Sequence, residues 1–135
     1  MSEQNLFNDA TIIISYTAED AVRDGLLIHF NPATALECGY RIPVLLTTAA
    51  HAEAIAWTGP EGMQSEDARF WDVLWMARPA AKATCVNPGQ PFEFILFRVP
   101  NDGTSETASQ LRLKIVAEMY NRETGCLIIA LPDED

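Results

Sequence analysis

A chain of 135 residues with 48% hydrophobic content is read as one domain. It is too apolar to be disordered, and it is long enough to bury roughly two-thirds of its unfolded surface without a disulfide or metal staple. Nine Lys and Arg against nineteen Asp and Glu give a net charge of −10, which argues against direct nucleic-acid binding and against docking on anionic membranes.

Residues 1–9 are polar and read as a flexible N-terminus, leaving a single domain over 10–135. Ala10 to Tyr16 is a β-branched run and predicts a strand. Thr17 with Asp20 three residues on resembles a capping box, so a short helix is expected over Ala18 to Arg23, ended by Asp24-Gly25. Leu26 to Phe30 predicts a second strand. Asn31-Pro32 is an N-cap followed by a proline where no N–H is needed, and it predicts a helix to Cys38 that stops at Gly39. Tyr40 to Leu46 reads either as an edge strand, with Pro43 keeping it from the sheet centre, or as the approach to a helix; a short extended piece is favoured. A helix from Thr47 or Thr48 to Trp57 would place Ala49, Ala52, Ile55 and Ala56 on one face.

Thr58 to Gln64 is a turn-rich loop. Ser65 then caps a helix to Ala77 that holds two of the three tryptophans. Phe70, Val73, Leu74 and Ala77 share a face, and Trp71, Trp75 and Met76 extend it around most of the circumference, so this reads as the central helix of a small core. Pro79 is expected to end or kink it, and Ala80-Ala81-Lys82-Ala83 could continue for another turn beyond. The last third alternates: Phe92 to Val99, Leu111 to Ile115 and Cys126 to Leu131 form a three-stranded meander with a hairpin at Asn121 to Gly125. The fold class is therefore α+β, an antiparallel sheet whose meander packs on the Trp-rich helix.

No catalytic constellation stands out. His29 and His51 lack metal-ligand spacing, Ser15, Ser65 and Ser105 lack a nucleophile-elbow context, and Gly59-Pro60-Glu61-Gly62 lacks the spacing of a phosphate loop. Cys38, Cys85 and Cys126 are widely spaced and read as small buried hydrophobes, so neither a metal nor another cofactor is expected. Asp72, flanked by aromatics, reads as a surface acid pairing with Arg69 or as a carboxylate in an aromatic pocket. Trp57 and Tyr40 read as core residues, with an interface role as the alternative.

Tyr16-Thr17, Asp24-Gly25-Leu26-Leu27, Gly39 to Val44, Trp71 to Arg78, Phe97 to Pro100 and Leu131-Pro132-Asp133-Glu134-Asp135 together resemble a family of small uncharacterised proteins carried on bacterial plasmids and phages. The chain departs from that pattern at Pro79. The resemblance implies a setting among mobile-element accessory genes, where anti-CRISPR and anti-restriction proteins are common, and it implies no activity for any residue.

Three functions follow as expectations. The first is a non-enzymatic accessory protein, cytoplasmic because Met1 to Asn5 lacks a secretory start and no apolar run spans a membrane. It would bind a host protein with a basic surface through Glu61, Glu66, Asp67, Asp72, Asp133, Glu134 and Asp135. The second is a small enzyme or small-molecule binder with a pocket beside the central helix formed by Asp72, His51 and Trp71. The third is a homodimer paired through the meander edge.

Overall fold

In a computed structural model, residues 16–134 are described, and their regular structure begins at a reciprocal cap. The Thr17 hydroxyl accepts from the Asp20 amide at 3.1 Å while the Asp20 carboxylate accepts from the Thr17 amide at 3.1 Å. These bonds hold the Asp20 carboxyl below its usual value of 3.8. Helix α1 (Ala18–Arg23) follows, then strand β1 (Leu27–His29). The Asn31 side chain accepts from the Ala33 amide at 2.9 Å and starts α2 (Pro32–Glu37). The chain then turns at Gly39 with φ of +94°, a conformation that favours glycine. Strand β2 (Val44–Thr47) leads directly into α3 (Thr48–Ala54), α4 (Glu66–Val86), β3 (Phe92–Arg98), β4 (Ser109–Met119) and β5 (Gly125–Ala130). The strand expected over Ala10 to Tyr16 lies, apart from Tyr16, outside the described residues, as does the N-terminal segment 1–9.

The strands form a five-stranded sheet in the order β1-β2-β5-β4-β3. The C-terminal meander is present as expected, with Phe94 opposite Leu113 and Ile115 opposite Ile129. The other half departs from a purely antiparallel sheet: β1 and β2 are antiparallel, but β2 runs parallel to β5, with Val44 opposite Leu127 and Leu46 opposite Ile129. Residues 40–46 are therefore no edge. Val44, Leu45 and Leu46 lie in an interior strand between β1 and β5 and are buried. Pro43 precedes the strand and costs it no ladder bond, and its carbonyl accepts from the Leu127 amide at 2.9 Å.

One face of the sheet carries the core. Val44, Leu46, Leu96, Leu113, Ile115 and Ile129 share one core cluster with Val73, Leu74 and Ala77 of α4, Ile55 at the end of α3 and Phe30 just after β1. The inward face of α3 is Ala50 and Ala54, with Ala52 exposed, which is one position away from the face read in the sequence. Helix α4 does not stop at Pro79 but continues for 21 residues to Val86. The proline is exposed, so the Trp75 carbonyl that loses its amide partner faces the outer side of the helix. After Ala77, the residues Ala80, Ala81 and Thr84 continue the buried row beyond it. Thr84 fixes the far end: its hydroxyl donates to the Gln90 carbonyl at 2.6 Å and accepts from the Ala117 amide at 2.9 Å.

The cysteines divide. Cys38 and Cys126 are buried, as expected for small hydrophobes, whereas Cys85 is exposed near the end of α4. Burial pushes the Cys126 thiol from 9.0 up to about 12. Folding thus favours its protonated form: its contribution to stability is present below pH 9 and is lost as pH rises toward 12. We expect a disulfide-exchange reagent to label one thiol quickly in the native protein and all three after unfolding. Fast labelling of Cys126 would contradict this packing.

Candidate functional site

Helix α4 separates two chemistries on opposite faces. Its inward side begins with Arg69, which is 3% exposed. The expected pairing with Asp72 does not form, because the guanidinium turns into the protein. Arg69 Nε donates to the Ala54 carbonyl at 3.1 Å, and Nη1 donates to the Val99 carbonyl at 2.8 Å. The same group lies 5.6 Å from the centre of the Trp57 ring. Burial lowers the Arg69 pKa, and Nη2 is buried with no protein partner. Trp57 is half-buried and closed over by the Gly59-Pro60 turn: its Nε1 donates to the Pro60 carbonyl at 3.1 Å, and a Cβ on Gly59 would stand 2.4 Å from the ring. That loop is shaped around a tryptophan, which explains its glycine without any phosphate.

The outward side is the departure from the sequence reading. Trp71 is 38% exposed and Trp75 50% exposed, and Met76 is exposed beside them. The indoles stack on each other with centroids 5.7 Å apart and planes 28° from parallel. Arg78 caps the stack, its guanidinium 4.6 Å from the Trp75 ring centre. Asp67, Trp71, Trp75, Arg78 and Lys82 follow spacings of four, four, three and four residues, which is one stripe on a helix. The tryptophans were read as filling the core, but the buried row uses the small and aliphatic positions Val73, Leu74, Ala77 and Ala80 instead.

The candidate acids fall into three groups. Glu61, Asp67 and Asp72 are exposed near the N-terminal half of α4, and Asp133 is exposed near the C-terminus. Glu66 and Glu134 are structural. The Glu66 carboxylate accepts from the Trp57 amide at 2.9 Å. Glu134 accepts from the Thr47 hydroxyl at 2.6 Å and the Leu131 amide at 2.8 Å, and its main-chain oxygen accepts from Lys114. Asp135 lies outside the described residues. His51 is half-buried, 6.1 Å from the Phe70 ring. Asp72, His51 and Trp71 line none of three cavities found among the described residues, at the Gly39–Ile42 turn beside α4, at the Pro32–Val44 segment and at Tyr16–Thr17.

A cavity of about 470 Å³ does open beside α4, but at its other half. Its walls are mainly apolar, with Ile42, Ala81, Val86 and Leu127 among them, and Arg41, Arg78 and Lys82 stand around it. Tyr40 holds one wall: it is buried, and its hydroxyl donates to the Leu74 carbonyl at 2.6 Å. Burial raises the Tyr40 pKa well above 10.0. The cationic residues were missed in the sequence because they come from two segments. The available signal was the spacing of Trp75, Arg78 and Lys82 along one helix face.

Among the described residues no group of three or more His, Cys, Asp or Glu side chains converges as a metal site, and no helix is long and apolar enough to cross a membrane. No family model, no curated protein and no solved structure matches the chain.

Proposed function

We propose that this protein acts by binding another protein through the outer face of α4, with the Trp71–Trp75 stack as its anchor. The observation that carries this reading is the exposure of that stack. Two indoles on a rigid helix, capped by an arginine, are the residue types that dominate binding energy at protein interfaces. Charge supports a basic partner. The chain carries −10, and Glu61, Asp67 and Asp72 are exposed at the same end of the helix. Such an interface forms quickly at low salt and weakens as salt rises.

In its fullest form the reading is of a cytoplasmic mobile-element accessory protein that blocks a host defence enzyme, of the anti-CRISPR or anti-restriction type, by occupying a basic channel. The resemblance and the charge support that setting. The test is capture from host lysate with immobilised protein, run in parallel with a Asp67→Lys/Asp72→Lys variant. The expected result is a basic protein held at low salt, released at high salt and lost with the charge-reversed variant. A partner that resists high salt, or one retained by the reversed variant, overturns the charge-driven reading.

A second reading rests on a separate observation. Strand β3 is at an edge of the sheet and exposes Phe97 and Ile95 on its outer face. A homodimer would pair through that edge. Sedimentation velocity decides it: a dimer that Phe97→Lys converts to a monomer supports the pairing, and a monomeric wild type removes it.

A further inference from the structure

We infer that the cavity between the Gly39–Ile42 turn and the C-terminal half of α4 binds a small organic anion, with an apolar body in the cavity and a carboxylate or phosphate head on Arg41, Arg78 and Lys82. Its volume of about 470 Å³ and mainly apolar walls match small-molecule sites, in which a few polar groups fix one end of the ligand. The distribution of cations supplies the main argument. Of the nine Lys and Arg, Arg23, Arg98 and Arg112 pair with Asp20, Glu53 and Glu93. Arg69 is held on carbonyls, and Lys114 donates to the main chain of Glu134. Among the described residues four cations have neither an ion-pair nor a hydrogen-bond partner, and three of them, Arg41, Arg78 and Lys82, line this one cavity.

Acids outnumber cations about two to one in this chain, yet no carboxylate is in the cavity lining. Three cations gathered beside apolar walls without a counter-charge repel one another and favour an anion. Arg78 is kept available by its surroundings. It lies over the Trp75 ring, and a Cβ on the neighbouring Gly39 would stand 3.8 Å from Nη2. Its fork, unlike an ammonium, matches the two oxygens of a carboxylate or phosphate. The Tyr40–Leu74 hydrogen bond fixes the turn against α4, so the cavity is formed before any ligand arrives.

The experiment titrates the full chain calorimetrically with decanoate and decyl phosphate, and with decanol and decyltrimethylammonium as neutral and cationic controls of equal chain length. One equivalent of decanoate or decyl phosphate is expected to bind at least about tenfold tighter than decanol, with no binding of the cation. The tighter of the two anions identifies the head group. Arg78→Gln/Lys82→Gln weakens binding by about tenfold or more. Cys85→Glu, which sets a carboxylate at an exposed position of the cavity lining, has the same effect by repulsion. Both variants keep the wild-type thermal midpoint. The proposal is overturned if neither anion binds, if decanol binds as tightly as the anions, or if the two variants bind like the wild type.

Discussion

Leu74→Ala is expected to lower stability by about 3 kcal/mol, seen as a fall of about 10 °C in thermal midpoint, while Trp75→Ala one residue away changes it by less than about 1 kcal/mol. The two residues are neighbours in sequence but occupy different sides of α4. Leu74 is fully buried between α4 and the sheet, so truncation removes apolar burial and leaves a cavity in packed surroundings. Trp75 is half-exposed and touches Trp71 and Arg78, which are themselves on the outer face. Its removal loses a surface stack and a cation–π contact worth about 0.5–1 kcal/mol and opens no cavity. Chemical denaturation of both variants measures the contrast. Equal losses would mean that the indole is a core residue and that the proposed anchor does not exist.

Arg69→Ala is expected to cost about 3 kcal/mol, although Arg69 makes no salt bridge among the described residues. Its guanidinium joins three pieces of the chain: the end of α3 at the Ala54 carbonyl, the segment after β3 at the Val99 carbonyl, and α4 itself. Truncation leaves both carbonyls without their donor in the interior, and a buried unpaired polar group costs about 1–3 kcal/mol. It also removes the cation from beside Trp57. Arg69→Lys keeps the charge but cannot span two carbonyls in opposite directions, so it remains destabilised by about 1–2 kcal/mol. A wild-type midpoint for Arg69→Ala would show that these bonds do not hold the three segments together.

Local chemistry was legible in the residues wherever the deciding contacts are close in sequence. The caps at Thr17, Asn31 and Ser65 each use a side chain and an amide two or three residues away, and each forms. The alternation in β3 and β4 likewise carried through to the sheet. What was misread depends on distant partners. Arg69 has Asp72 three residues away, but its bonds run to Ala54 and Val99, 15 and 30 positions off. The parallel pairing of β2 with β5 joins Val44 to Leu127, and nothing in either strand announces a direction. Pro79 was expected to end or kink the helix, with at most one more turn beyond it; a proline inside a helix costs about 3 kcal/mol, and the buried row continues on either side of it to Thr84. The tryptophans were assigned to the core on hydrophobicity alone; helix phase, set by Val73, Leu74 and Ala77, turns them outward.

The same phase error governs the candidate site. Asp72, His51 and Trp71 were grouped by proximity along the chain and chemical interest, and none of the three cavities described above is lined by any of them. The acids read as one interaction surface separate into exposed ones, such as Asp67 and Asp72, and ones that hold the fold, such as Glu66 at the Trp57 amide and Glu134 at Thr47.

The central claim is that the outer face of α4 is a binding surface anchored by Trp71 and Trp75. Its most direct test is the affinity of the captured partner for the wild type and for Trp71→Ala/Trp75→Ala, with the thermal midpoints of both measured alongside. The account predicts midpoints within about 4 °C of each other and a loss of affinity of at least about thirtyfold, as for a pair of interface hot spots. Undiminished affinity of the double variant at a matching midpoint would contradict it.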